Sequence, residues 1–259
     1  MSGDVQPIGV AVALVLILVA AGVSWRFRLG LIRDLGGATV LALVQLLIVG
    51  SALGLIIAPE QPIAYSWVWV VGIIGAAVWT VRSRVPHAPG VTVAAALAFG
   101  ATAAVSLGVL FGLRVFPLEG RTLIPLAGMA LGNSMTATIV AARTMTERFV
   151  SDIGQVEAGL ALGMTPGQAV EPMLRLVLRD ALSPQIERTR TVGIVSLPGA
   201  MVGLILAGVE PVDAVLVQIV VMYLVLGAVA TSTSVIALVI SRQLFTADWR
   251  PRRDVVGDA

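Results

Sequence analysis

Cysteine and lysine are both absent from this chain, and histidine occurs once, as His87. Without cysteine there are no disulfides and no thiolate metal sites. Without lysine there is no P-loop, whose lysine reaches the nucleotide phosphates, so no standard ATP site is expected here. Retinal and pyridoxal Schiff bases fall to the same absence. Charge is scarce as well. Only 12% of the 259 residues are charged, where soluble domains carry about 25%.

What is present is apolar. Hydrophobic residues make up 58% of the chain, and the mean hydropathy is +0.97. A soluble fold of this size has nowhere to hide so much apolar surface, whereas a bilayer accepts it. The pI near 9.9 reflects arginine. With a net charge of only +2, no nucleic-acid partner is expected, and the informative quantity is where the arginines sit.

Apolar runs of spanning length, roughly 17–25 residues, fall at Ile8–Trp25, Gly36–Ala58, Ala64–Val81, Val91–Leu113, Leu123–Ala142, Val192–Val209 and Val212–Ile240. The last is long enough to require tilt, a kink or an extension beyond the bilayer. The first lacks a positive leader and is followed by Arg26, Arg28 and Arg33, the flank pattern of a span rather than of a cleaved signal. When the intervening loops are assigned alternately to the two sides, every arginine except Arg114 and Arg121 falls on one side. The positive-inside rule makes that side the cytoplasm. Trp25 and Trp79 then mark inner ends, and Tyr65 and Trp67 an outer end. The expectation is an all-α polytopic bundle of about seven transmembrane helices, amino terminus outside and carboxyl terminus inside. It forms one transmembrane domain over residues 1–259, placed in the cell membrane.

The outer loops, around Pro59–Pro62, Val115–Thr122 and Glu210–Pro211, are too short for an external binding domain. The one long cytoplasmic segment covers about 143–191 and reads as structure. Glu157 opens a short helical piece closed by Gly163. Thr165 is an N-cap, Pro166 stands at N1, and Gln168 completes a capping box. The second helix runs toward Leu182 and carries Glu171, Arg175 and Arg179 on one face, with Pro172 expected to kink it. Ser183-Pro184 is expected to restart the chain. This helix-turn-helix between spans five and six suits equally an amphipathic connector lying on headgroups and a docking element for a soluble partner.

Polar residues within the spans are Gln45, then Asn133, Ser134, Thr136 and Thr138 together, then Ser196 ahead of Pro198, and Gln218. They serve either as a path for cargo or as interhelical glue, worth about 0.6–2 kcal/mol each. Pro198-Gly199 would loosen the sixth helix, giving a hinge or a free carbonyl. Gly50/Gly54, Gly128/Gly132 and Gly199/Gly203 have the GxxxG spacing of a packing face. No acidic residue lies inside a span away from its ends, and His87 between two prolines reads as a solvated loop residue, so no metal site and no catalytic group is assigned. The uncharged span interiors also disfavour an ion-coupled carrier.

Glu157-Ala-x4-Gly163 resembles in part the EAA signature of ABC importer permeases. A longer resemblance covers nearly the whole chain. Val44-Gln45-Leu46, Ile124 to Met135, Leu160 to Pro166, Val192 to Met201, Leu206 to Pro211 and Gln218-Ile219 are similar to segments of the Fet-type (FetB) iron-export permeases and their plant aluminium-tolerance relatives. The resemblance implies the membrane subunit of an ABC transporter, paired with a separate ATPase that binds ATP and magnesium. It implies export, of iron or another metal in the bacterial branch, and of an organic substrate such as a nucleotide-sugar on the plant side. It assigns Glu157, Gly163, Thr165, Pro166, Glu171, Arg175 and Arg179 to ATPase coupling. Two permease chains with two ATPase chains are the expected assembly.

Overall fold

The protein is described by a computed structural model covering residues 7–56, 61–193 and 197–252. The predicted loop at Pro59–Pro62 falls partly, and Ser196 and Arg253 wholly, outside the described residues. Every regular element among those residues is helical, apart from an isolated bridge between Phe245 and Pro251. The chain divides into two compact units, Met1–Gln61 and Pro62–Ala259.

In the first unit α1 (Pro7–Arg26) is followed by α2 (Ile32–Ile56). The turn between them uses two left-handed residues, Arg28 and Gly30. Buried Ser24 closes it, its Oγ accepting from the Leu31 N–H at 3.2 Å.

The second unit contains α3 (Ile63–Arg84), α4 (Val91–Gly112), α5 (Gly120–Ser151), α6 (Ile153–Ala161), α7 (Pro166–Thr191), α8 (Gly199–Leu206) and α9 (Pro211–Gln243). Five helices, α2, α3, α4, α5 and α9, are long and apolar enough to cross a membrane, and α1 contributes a shorter apolar stretch, Leu14–Arg26. Helices α5 and α9 have 32 and 33 residues. At 1.5 Å per residue each is close to 50 Å long, well beyond the roughly 30 Å of a hydrocarbon core. The expected apolar span Leu123–Ala142 lies inside α5. The apolar run marks only part of the helix, which continues through Met145, Thr146 and Phe149, all buried.

Fully buried alanines hold α4, α5 and α9 close: Ala94, Ala95 and Ala98, then Ala127, Ala130, Ala141 and Ala142, then Ala228 and Ala237. Small side chains allow backbones to approach, which is how helices gain contact in lipid. The GxxxG glycines do not share this role. A Cβ added at Gly50, Gly54, Gly128, Gly132, Gly199 or Gly203 would meet nothing within 4 Å.

Helices α5 and α9 run parallel. Near their starts Leu126 and Ala130 cluster with Val221 and Leu224, and near their ends Phe149 meets Phe245 edge-on with ring centroids 5.4 Å apart. The segment between them must therefore carry the chain back along their length. The sequence assigned this return to one apolar helix over Val192–Val209, and that expectation is corrected. Helix α7 does not restart at Ser183-Pro184. It runs unbroken for 26 residues to Thr191. The backbone is then extended at Val192, left-handed at Gly193 and extended again at Pro198, before α8 forms with only 8 residues. A residue preceding proline is pushed out of the helical region, which separates α8 from what comes before. Within α7 the opposite outcome prevails. Burial of Val170, Met173, Val177 and Ala181 holds the helix together across Pro172 and Pro184.

Candidate functional site

The α6–α7 hairpin is built as its sequence spells it. Helix α6 ends in a Schellman motif: the Met164 N–H donates to the Gly159 carbonyl at 3.0 Å and the Gly163 N–H to Leu160 at 3.0 Å. Gly163 supplies the required left-handed residue, with φ +88°. The Thr165 N–H donates to Gln168 Oε1 at 2.9 Å, while Thr165 Oγ1 accepts from the Gln168 N–H, so the capping box is closed with Pro166 at N1. Glu171 and Arg175 form an exposed ion pair of 2.6 Å, one turn apart; Glu157 and Arg179 are exposed as well. At the tip stands an apolar residue that pattern reading passed over, Leu162, 81% exposed. Met164 is exposed beside it. Arg148 near the end of α5 pairs with Asp180 of α7 at 3.0 Å, tying the hairpin to the bundle.

Beyond the hairpin, α7 lies along α5 and α9 and encloses open space with them. A cavity of about 300 Å³ is lined by α5, the middle of α7 and Val229 of α9. A larger one, about 470 Å³, is lined by α5, the end of α7, α9 and the residues entering α8. Asn133, Gln185 and Arg188 border both.

The geometry follows from three stripes of helical spacing. On α5 the stripe is Met129, Asn133, Thr136, Ala137 and Val140; on α7 it is Ala181, Pro184, Gln185, Arg188 and Val192; on α9 it is Gln218, Val221, Met222, Val225 and Val229. Each follows the i, i+3, i+4, i+7 rule of a single helix face. The Asn133 side-chain amide donates to the Met129 carbonyl at 2.8 Å, which leaves its Oδ1 without a partner among the described residues. Gln218 is only 9% exposed, and its Oε1 is buried with no hydrogen-bond partner.

The structure thus brings Asn133, Gln218 and Pro198 together around the larger cavity and places Thr136 on the smaller one. It does not bring Ser134 or Thr138 there. Both are fully buried in the packed interior, where Ser134 Oγ donates to the Leu131 carbonyl at 2.9 Å and Thr138 Oγ1 to the Ser134 carbonyl at 2.8 Å. Gln45 lies exposed on α2 in the first unit. His87 is exposed in the turn between α3 and α4. Sequence reading missed Arg188, Gln185 and Thr189, because α7 was ended at Leu182. The spacing of residues 181, 184, 185 and 188 carried the signal that the helix continues.

Long apolar helices packed through alanine, with polar groups gathered around open clefts between them, define a multi-pass helical membrane protein. The chain belongs to the family described as Uncharacterised protein family (UPF0014), whose pattern matches residues 7–245. It is 37% identical to "UPF0014 membrane protein STAR2" of Oryza sativa subsp. japonica, over 89% of this chain and 80% of that one. It is 34% identical to "Protein ALUMINUM SENSITIVE 3" of Arabidopsis thaliana, over 90% and 84%. It is 32% identical to "Probable iron export permease protein FetB" of Escherichia coli (strain K12), over 92% and 91%. No solved structure matches.

Proposed function

We propose that this chain is the membrane permease of an ATP-driven exporter, with hydrolysis carried out by a separate ATPase docked on the α6–α7 hairpin. The observation that carries the reading is the continuity of α7. One helix joins the Thr165 cap and the Glu171–Arg175 pair at the hairpin to Arg188 at both cavities. A displacement of the hairpin would reach the cavity as movement of a rigid rod. The exposed Leu162 gives a partner's groove an apolar anchor. In the bilayer the amino terminus lies outside, the hairpin inside, and the return from α5 to α9 forms a discontinuous crossing made by the end of α7 and by α8, with the helix interrupted at Val192–Gly193 and at Pro198. Broken helices of this kind surround binding sites in many transporters. Two copies of the chain with two ATPase subunits complete the transporter. The description of the E. coli relative supports iron or another metal as cargo.

The test is purification of tagged chain from its native membranes. A nucleotide-binding subunit is expected to co-purify, with a hydrolysis rate that depends on the segment Glu157 to Arg179. Recovery of the chain without any such subunit overturns the reading.

A further inference from the structure

The larger cavity has a definite chemistry. Of the residues around it only Arg188 is charged, and no carboxylate lines it. Arg188 forms no ion pair among the described residues. The carboxylates closest to it along α7 are engaged elsewhere, Glu187 with Arg190 at 2.9 Å and Asp180 with Arg148 at 3.0 Å.

A second positive element faces the same space. The first residues of α8, Gly199 and Ala200, border the cavity, and the N-cap is Pro198, which has no side-chain acceptor to offer. The initial N–H groups of a helix have no partner within it, and they carry partial positive charge. Gly199 leaves open space where a Cβ would stand, so a ligand can approach that backbone closely. The independent observation is Gln218, nine-tenths buried at the cavity with an orphaned Oε1. A buried amide left unmatched is costly, and a turn of this side chain toward the cavity would let a ligand there satisfy it. Turned toward the cavity, the amide can donate to an oxyanion through its nitrogen or accept a ligand hydroxyl through its oxygen.

We propose that Arg188, Gln218 and the amino terminus of α8 form a binding site for an oxyanion, the carboxylate or phosphate group of the transported molecule. This rests on the permease reading and adds the class of cargo to it. A guanidinium and a helix amino terminus together attract anions and repel bare cations. A metal would then pass as an anionic complex, with the oxyanion of its chelator held at Arg188. A cavity of about 470 Å³ has room for a small organic anion.

The test is direct binding to the full chain in phosphatidylcholine nanodiscs, using radiolabelled phosphate, citrate and, separately, ferrous ion. Phosphate or citrate is expected to bind saturably. Arg188→Gln is expected to weaken it roughly tenfold or more, the usual worth of a charge-assisted hydrogen bond. Arg188→Lys should recover part of the loss, which separates lost charge from misfolding, and Gln218→Leu should weaken binding with Arg188 intact. Adding phosphatidylglycerol distinguishes the sources. Undisturbed binding assigns the site to soluble cargo and upholds the proposal; displacement of the soluble anion assigns the site to a lipid phosphate and overturns its assignment to cargo. No anion binding, or ferrous binding that survives Arg188→Gln with no anion present, overturns it. Co-purification of an ATPase is read separately, so this site can fail while the permease reading stands.

Discussion

Two left-handed glycines differ in what surrounds them, and the difference is measurable. At Gly163, φ is +88° and an added Cβ would meet nothing within 4 Å. Gly163→Ala therefore costs only the backbone penalty, roughly 1–2 kcal/mol. At Gly90, φ is +56° and the added Cβ would fall 1.8 Å from Gln243 Oε1, itself buried without a partner. Gly90→Ala carries the same backbone penalty and must also displace Gln243. The expected order in thermal melts of detergent-solubilised chain is wild type above Gly163→Ala above Gly90→Ala. Equal shifts would mean that the approach of Gln243 has no energetic weight. Gly163→Pro is a different change, because proline fixes φ near −65° and removes the N–H bonded to Leu160. It should abolish coupling of hydrolysis to transport with the spans still inserted. Phe149, fully buried against Phe245 at the end of α5, should cost about 3–5 kcal/mol on truncation to alanine, read in the same melts.

At the scale of elements, the reading of α7 as a rod makes a specific demand. A Gly-Ser pair inserted after Leu182 would interrupt the helix between the hairpin and Arg188, while the Thr165 cap and the Arg148–Asp180 pair lie on the hairpin side. The ATPase should still bind and hydrolyse ATP, and transport in proteoliposomes should fall to background. Transport at the wild-type rate would show that the hairpin does not act through α7. A charge reversal, Arg175→Glu, probes the hairpin surface itself. Both partners of its ion pair are more than half exposed, so less than about 1 kcal/mol of stability is at stake and any loss of coupling reports on docking. The hairpin was legible because its signals are local: a glycine at C′, a capping box and an i, i+4 pair each act within a turn or two. The course of α7 was not. Pro172 argued for a kink and Ser183-Pro184 for a restart, and tertiary burial of Val177 and Ala181 against other helices keeps the helix continuous. The same limit applied to the polar cluster on α5. Asn133 and Ser134 are sequence neighbours, but about 100° of helical rotation sends one to the cavities and the other into the interior. Gln218 needed only its place on an apolar helix to stand out. Glycine spacing is conspicuous but was weak evidence, since about three such pairs arise by chance among 27 glycines, whereas the alanines that make the contacts within the chain are scattered through apolar runs.

At the scale of the whole molecule, the parallel course of α5 and α9 requires an even number of passages between their starts: α5 itself, then a return through α7 and α8. That path, joined to the proposed placing of the arginine-rich loops in the cytoplasm, makes a prediction about which loops share a side. The absence of native cysteine makes the chain its own background for labelling. Leu162 at the hairpin tip is 81% exposed, and Leu118 between α4 and α5 is 50% exposed, so each accepts a substituted cysteine at little cost. In right-side-out vesicles a membrane-impermeant maleimide should modify Leu118→Cys and not Leu162→Cys, and inverted vesicles should reverse the pattern. Labelling of both from one face would mean that α5, despite its length, does not carry the chain across. The hairpin would then be unable to meet a cytoplasmic ATPase, and the rod would join two points on the same side of the bilayer.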